Sequence, residues 1–448
     1  MPGYAQQAFS SHSASKYQGR LLSIALERSL RFIKTNSRRL SAVLVVVVVL
    51  LTTPPSIAYS VLTHEQVVDF LWDSHIKKLL RERYPKATEE DLRHAHAFAY
   101  GGCLIQDMGY YPFGNRFFSD LVHYVRTGDF VNELIHDAQD VNELAFALGA
   151  LAHYSSDTVG HPVVNTAVAL EFPKLRKKFG DHVTYAENKR AHIQTEFGFD
   201  VLQIAKQRYT SQAYHDFIGF EVAQGLLERA FLKTYGLELK QVFPDEEQSI
   251  GSYRHAVSTW IPRLTQVALA LKKKDLETLP NFSPKQFRYL LSRTEYERNW
   301  GRNYKRPGFG TKMMAFIVKI LPKVGPLRTL EIKPPTQETE KMYIKSVEDT
   351  VNAYGGLLDK VEKNELHLSN GDLDTGKATA IGEYDLADKT YAVLLTDLAK
   401  NKFANVSPVL RENILLFYSH QDQTSKPRKH IDEWKETLKD LELLKQHS

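Results

Sequence analysis

The chain has 448 residues, 43% hydrophobic and 25% charged, which is enough apolar material for a sizeable core and enough length for two or three domains of ~150 residues. The formal net charge of +5 is small for this length. It mildly favours anionic partners without choosing between lipid headgroups and nucleic acid. A single cysteine, Cys103, excludes an intrachain disulfide and a cysteine-based zinc cluster, so a metal would have to be held by Asp, Glu or some of the 17 histidines.

Residues Met1 to Arg39 are polar and basic, with Glu27 the one acidic residue, and the apolar run Leu40 to Leu51 follows at once. About a dozen apolar residues fall short of the ~20 needed to span a bilayer. Ser56 and Ala58 then offer a small-x-small exit. Residues 1–58 read as a signal peptide with a long basic n-region, cleaved after Ala58, and the mature protein is expected to be secreted or periplasmic. That cut would give Tyr59 a free α-amine, which with its own carbonyl oxygen can chelate a metal five residues before His64.

From Tyr59 to about residue 235 the pattern is helical. Val67, Val68, Leu71 and Trp72 share one face, as do Leu144, Ala147, Leu148, Leu151 and Ala152, and then Phe197, Val201 and Ile204. Gly101-Gly102, the stretch from Gly109 to Gly114, and His161-Pro162 are expected to separate the helices. The reading stays helical over 236–321. Within it, the basic and aromatic stretch Arg298 to Lys312 reads as a solvated loop or a contact to phosphates or an anionic membrane surface, and Met313 to Leu321 reads as a short core helix. Residues 322–336 are Pro-rich and read as a linker, and 337–448 as a mixed helical C-terminal region with a Gly/Asp-rich loop at Ser369 to Gly376. Gly371 to Lys377 has the glycine and lysine spacing of a phosphate-binding loop. Ala378 stands where Ser or Thr would bind Mg²⁺ and no apolar strand precedes it, so that reading is set aside.

The chemistry is concentrated in Leu148 to Pro162. His153, Asp157 and His161 are spaced i, i+4, i+8, and each step of four turns ~400°, so the three side chains share one helix stripe. His192 and Glu196 form a second i, i+4 pair. Upstream lie His64, Asp107 in a Gly/Tyr-rich loop, and His123 beside Leu121, Val122 and Val125. Imidazole and carboxylate are good zinc ligands, and with Tyr59 this inventory of nine residues exceeds the three or four of a single site. His94, His96, His136 and His182 are left as satisfied core histidines.

These residues resemble a known superfamily: the zinc-dependent phospholipases C, the single-strand-specific zinc nucleases, and, nearest, the N-terminal domain of glycosylphosphatidylinositol-specific phospholipase D. The likeness is carried by Tyr59 to His64, Asp107, Val122-His123-Tyr124, the His153/Asp157/His161 triple and Ala191 to Leu202, over residues 59–235. It implies an all-α, multi-helix catalytic domain holding three zinc ions. By that resemblance Asp107, His123, His153 and Asp157 hold the first; His161, His192 and Glu196 the second; the Tyr59 terminus, His64 and a bridging Asp157 the third. The short gap from Asp157 to His161 matches the phospholipase D-like branch, which argues against carrying over a phosphatidylcholine specificity. The implied activity is zinc-dependent hydrolysis of a phosphodiester, with Asp107 also relaying a proton, on phospholipid or glycosylphosphatidylinositol headgroups at a membrane surface. Two alternatives are a nuclease, for which Tyr110, Tyr111 and Phe113 could stack bases, and a zinc-stabilised binding module without turnover, expected to have a closed cleft.

Overall fold

The computed structural model describes residues 61–206, 219–257, 333–419 and 431–447. The expected signal peptide, Tyr59, the basic loop 298–312 and the apolar stretch 313–321 lie outside the described residues. What is described is all-α. Among the described residues the strands are confined to one two-residue antiparallel pair, β1 (Gly371–Asp372) and β2 (Lys377–Ala378).

Helix α1 (Val61–Leu71) runs through a π-helical turn (Trp72–Ile76) into α2 (Lys77–Arg83). Helix α3 (Glu89–Gly102) is opened by a reciprocal cap, in which Thr88 Oγ1 accepts from Asp91 N–H and the Asp91 carboxylate accepts from Thr88 N–H. A 3₁₀ turn (Ile105–Tyr110), α4 (Arg116–Tyr124) and α5 (Thr127–Asp137) lead to the longest of the described helices, α6 (Val141–Glu171). Asp140 caps α6 by accepting from Asn142 and Glu143 N–H, both at 2.9 Å. Then come α7 (Pro173–Phe179), α8 (Tyr185–Ala205), α9 (Gln224–Tyr235), α10 (Leu239–Val242) and α11 (Glu246–His255). Helix α12 (Gln337–Glu362), the strand pair, α13 (Asp385–Lys400), α14 (Pro408–Ser419) and α15 (Ile431–Gln446) complete the order.

Helix α6 is the axis on which the rest is hung, and its Ala/Gly/Leu content lets neighbours come close. A Cβ on Gly149 would stand 2.1 Å from the Ala99 carbonyl oxygen, and one on Gly102 would stand 1.9 Å from that of Phe146. Gly101 and Gly102 therefore do not separate segments, as the sequence pattern suggested. They form the last turn of α3, where Gly102 allows it to touch α6 and Gly101 allows it to touch the Glu221 backbone. Along another side of α6 lies α12, where Tyr354 donates its hydroxyl to Leu148 O at 2.8 Å. Thr339 Oγ1 donates to Glu171 at 2.6 Å at the far end. Buried residues from Val61 to Leu444 belong to one continuous hydrophobic cluster, so helices of the expected catalytic and C-terminal regions share a core.

Pro162 was expected to break the helix, and it does not: α6 continues nine residues beyond it. Proline removes one backbone hydrogen bond and crowds the carbonyl four residues back, a cost of ~3 kcal/mol in an exposed helix. Here α6 stays buried on both sides of the proline, through Gly160, His161, Val164 and Asn165, and that packing holds the turn.

The close α3–α6 approach yields a test. Gly149→Ala should lower the stability of the folded protein by ~2 kcal/mol or more, because overpacking against backbone outweighs the ~1 kcal/mol gained in helix propensity. Gly356→Ala, in an exposed turn of α12 with nothing within 4 Å of the new methyl, should raise stability slightly. Urea midpoints of the two variants check both signs.

Candidate metal centre

Five elements deliver their donors to one place, each by a local device. Helix α6 presents His153, Asp157 and His161 on a single stripe. Helix α8 is bent at Asn188, whose backbone is extended (φ −154°, ψ 80°) and whose side chain accepts from Ala191 N–H at 2.9 Å. That cap restarts the helix just before His192 and Glu196. The first turn of α1, carrying His64, is tied down by Asp200 of α8, which accepts from Leu62 N–H at 2.9 Å and Thr63 Oγ1 at 2.7 Å. Tyr343 of α12 reaches Thr63 Oγ1 at 2.6 Å from the other side. Asp107 sits in the 3₁₀ turn and His123 in α4, joined by Ser119, which donates to Gln106 O at 2.5 Å and accepts from Gly109 N–H at 2.9 Å.

Asp157 is the hub. Its Oδ2 lies 3.0 Å from His153 Nε2 and 3.4 Å from His123 Nε2, and its Oδ1 lies 3.6 Å from His64 Nε2 and 3.9 Å from His161 Nε2. Asp107 Oδ1 is 3.5 Å from His123 Nε2. Two triples have donor atoms all within 4.8 Å of one another, His64/His153/Asp157 and Asp107/His123/His153. All these side chains, with His161, His192 and Glu196, are 3% exposed or less.

The ring nitrogens facing away from the hub are occupied. His153 Nδ1 stands 2.9 Å from Cys103 O and His123 Nδ1 stands 2.7 Å from Ser119 O. A carbonyl only accepts, so in both rings Nδ1 carries a proton and Nε2 is the nitrogen that points inward. At His192 the roles reverse. Asn165 Nδ2 donates to Asp374 O at 2.8 Å, which turns Asn165 Oδ1 to His192 Nε2 at 2.8 Å. The His192 Nδ1 lone pair therefore faces Glu196 Oε1, 2.5 Å away. His161 and His192 rings meet edge to face at 5.5 Å, beside the hub, without closing a triple as tight as the other two.

Burial governs the protonation of these groups. Desolvation lowers His64 well below the usual imidazole range, with His153 adding to the effect, and lowers His192 to about 3. It raises Glu196 well above the usual carboxylate range and Asp107 to about 7. His123 is the converse. Burial would lower it, but Asp157 and Asp107 carry it up to about 9. Burial would likewise raise Asp157, and the His153 and His161 rings hold it well below 3.8 instead.

This donor set fits zinc. Both oxygens of Asp107, both of Asp157 and both of Glu196 are buried without a well-formed hydrogen bond, although buried carboxylates ordinarily have such partners. The inward-facing atoms are imidazole nitrogens and carboxylate oxygens, the ligand types of zinc in a cysteine-free site. A third cluster, Glu133, His136 and Asp137, lies at the surface, with Lys233 at 3.8 Å from Glu133 and 2.5 Å from Asp137.

Eight of the nine expected ligands are thus brought to one neighbourhood, and the ninth, Tyr59, lies outside the described residues. Of the histidines assigned to the core, His96 is buried and stacks on Trp72 at 3.7 Å, whereas His94, His136 and His182 are exposed. Tyr110 and Tyr111 are buried, Tyr110 donating to Asp120 at 3.1 Å and Tyr111 packing edge-on against Tyr253; Phe113 points outward. Three further residues escaped the sequence reading. Asp200 extends the His192/Glu196 stripe to i+8 and could have been found by the rule that found His161. Asn165 continues the His153, Asp157, His161 stripe by one more step of four, whereas Asp374 carries no such signal. Two surface clefts, of about 380 and 730 Å³, are lined by Phe113 to Arg116 with Val242 to Ser249, and by Val406 to Ser419 with His447; neither touches the centre.

An all-α frame that converges imidazoles and carboxylates on one buried point is an arrangement able to hold metal ions. Residues 63–245 match the family described as zinc dependent phospholipase C. The match does not single out the glycosylphosphatidylinositol-specific branch. No curated protein and no solved structure matches the chain.

Zinc binding should release protons. At pH 7 in the metal-free protein His123 is cationic and Asp107 is about half protonated, burial favours the neutral form of Glu196, and zinc requires all three deprotonated. Roughly one to two protons should leave per protein, and zinc affinity should rise from about pH 6 towards pH 9, as His123 loses its own proton. Calorimetry in two buffers of different protonation enthalpy measures the release; an affinity that fell over that range would contradict the assignment.

Proposed function

We propose that the protein is an exported zinc phosphodiesterase that hydrolyses phospholipid headgroups, including glycosylphosphatidylinositol, and that the centre takes three zinc ions. The observation that carries this reading is the ring of four Nε2 atoms within 3.9 Å of Asp157, whose own oxygens lack hydrogen bonds. His123, His153, Asp107 and Asp157 would hold the first ion; His161, His192 and Glu196 the second; His64, Asp157 and the Tyr59 terminus the third. The match to the zinc dependent phospholipase C family over 63–245 supports the substrate class. Export rests on the basic and apolar N-terminal pattern; no helix among the described residues is long and apolar enough to cross a membrane.

Bound zinc supplies Lewis acidity, lowering the pKa of water towards neutrality and offsetting charge on the phosphate. The protein's own groups do the rest. Asp107 is also read as the group that takes a proton from the attacking water. The Nδ1 contacts of His123 and His153 to carbonyls hold those rings in one tautomer and orientation. One aromatic ring away from His192 stands a basic rim. Tyr185 packs edge-on to His192 at 5.8 Å, and Arg116 and Lys189 face the same ring at 6.0 and 5.2 Å. Burial and Arg116 lower Lys189 to about 8, so it is mostly cationic at neutral pH and suited to draw an anionic headgroup.

A second reading has one observation in its favour. All eight described ligands are 3% exposed or less, which suits a zinc-stabilised module that binds without turning over. Hydrolysis assays on phospholipid vesicles, a glycosylphosphatidylinositol and single-stranded DNA separate the cases. The purified protein should hydrolyse the lipids, lose activity to a chelator and regain it with zinc, and Asp157→Ala should lower the rate by ~10³-fold or more. Activity on DNA alone would establish the nuclease reading, and bound zinc with no turnover on any substrate would establish the module.

A further inference from the structure

We propose that Asp374, far outside the matched segment, is a positioning residue for His161, so that the C-terminal region sets the geometry of the metal centre; this rests on the reading of His161 as a zinc ligand. Asp374 Oδ1 stands 3.1 Å from His161 Nδ1, while Nε2 of the same ring faces Asp157. A carboxylate on the outer nitrogen of a ligating histidine fixes its tautomer and orientation and makes the inner nitrogen a stronger donor. The other oxygen, Oδ2, accepts the hydroxyls of Tyr124 at 2.8 Å and Tyr384 at 2.5 Å. Oδ2 is thus held by two hydroxyls, whereas neither oxygen of Asp107 or Asp157 has a hydrogen bond of good geometry, which suits Asp374 to a supporting role rather than direct ligation.

The loop that carries Asp374 is built to hold it there. Asp372 accepts from Asp374 N–H and from Thr375 Oγ1, both at 2.8 Å, and its carbonyl accepts from Gly376 N–H at 2.8 Å. Gly376 takes a left-handed conformation (φ +71°), and a side chain there would press on Thr158 O and Pro162. Pro162 has no N–H, so it leaves the Thr158 carbonyl without its helical donor just where the loop arrives. Leu373 N–H donates to His123 O at 3.0 Å. Asn165 ties the Asp374 carbonyl to His192. The glycine and lysine spacing that imitates a phosphate-binding loop thus belongs to a tight hairpin whose apex touches two expected ligands, His123 and His161, and reaches a third, His192, through Asn165.

Zinc titration of the metal-free full chain against a chromophoric chelator tests this, with a double-mutant cycle of Asp374→Asn and His161→Gln. Asp374→Asn should keep the zinc stoichiometry and weaken one class of site about ten- to a hundredfold. In the His161→Gln background the same change should cost almost nothing, because its effect passes through that ring. Tyr384→Phe should cause a smaller loss, roughly three- to tenfold, also confined to proteins that keep His161; it carries the cycle by itself if Asp374→Asn does not fold. Unchanged affinity in Asp374→Asn, or equal losses with and without His161, would overturn the positioning role. Absence of zinc uptake by the wild-type protein would overturn the metal reading instead.

Discussion

The Asp157 carboxylate is a charge sealed inside a helical protein, and the surrounding structure answers to it. Removing an ion from water costs several kcal/mol even after the protein relaxes, unless opposite charge or hydrogen bonds replace the lost solvation. Asp157 has few hydrogen bonds of good geometry to offset that cost; it has imidazoles on several sides. In the metal-free protein the compensating charge is carried by protons, most plainly on His123, whose pKa the two aspartates raise to about 9. Metal and proton compete for the same inward-facing lone pairs, so a single group explains both the burial of the centre and its coupling to pH.

The frame makes that convergence feasible by different means at each side. Helix α6 supplies the hub and two of its neighbours from one stripe, and the glycines at the α3 contact let its buried face be approached to backbone distance. Helix α8 must aim its donors from another direction, and the bend at Asn188 re-aims it. Helix α1 is short, with nine of its eleven residues buried, and its first turn is pinned by Asp200 and Tyr343. Each device is a local hydrogen bond or a missing side chain, and each is what its position in the fold requires.

The sequence made much of this legible, for a physical reason. A helix repeats its face every three to four residues, so a stripe such as His153, Asp157 and His161 is a statement about geometry before any fold is known. The all-α class followed from the same periodicity. Breaker signals were less dependable. Pro162 and the Gly101-Gly102 pair look like punctuation, yet the first lies inside a packed helix and the second is an allowance for close approach. Both are tertiary facts that propensity does not contain. Asp374 was hidden more deeply. It is separated from Asn165, its nearest tie to α6, by 209 positions, it repeats no period with the other donors, and its neighbourhood imitates an unrelated motif.

That distance in sequence bears on how the chain is organised. His64 comes from the first described helix, the hub from the middle, and Asp374 from a hairpin beyond α12, so the centre gathers segments far apart in the sequence. Tyr384, which donates to Asp374, also accepts from Ala186 N–H at the start of α8, so the hairpin braces the helix that carries His192 and Glu196 as well as the ring of His161. A metal bound at such a point stabilises the whole assembled unit, because the ligand set exists only when the segments are together. The segment matched to the family ends at residue 245, but the hydrogen bonds that orient its histidines do not end there. The unit that folds around the metal is larger than the segment that supplies its ligands.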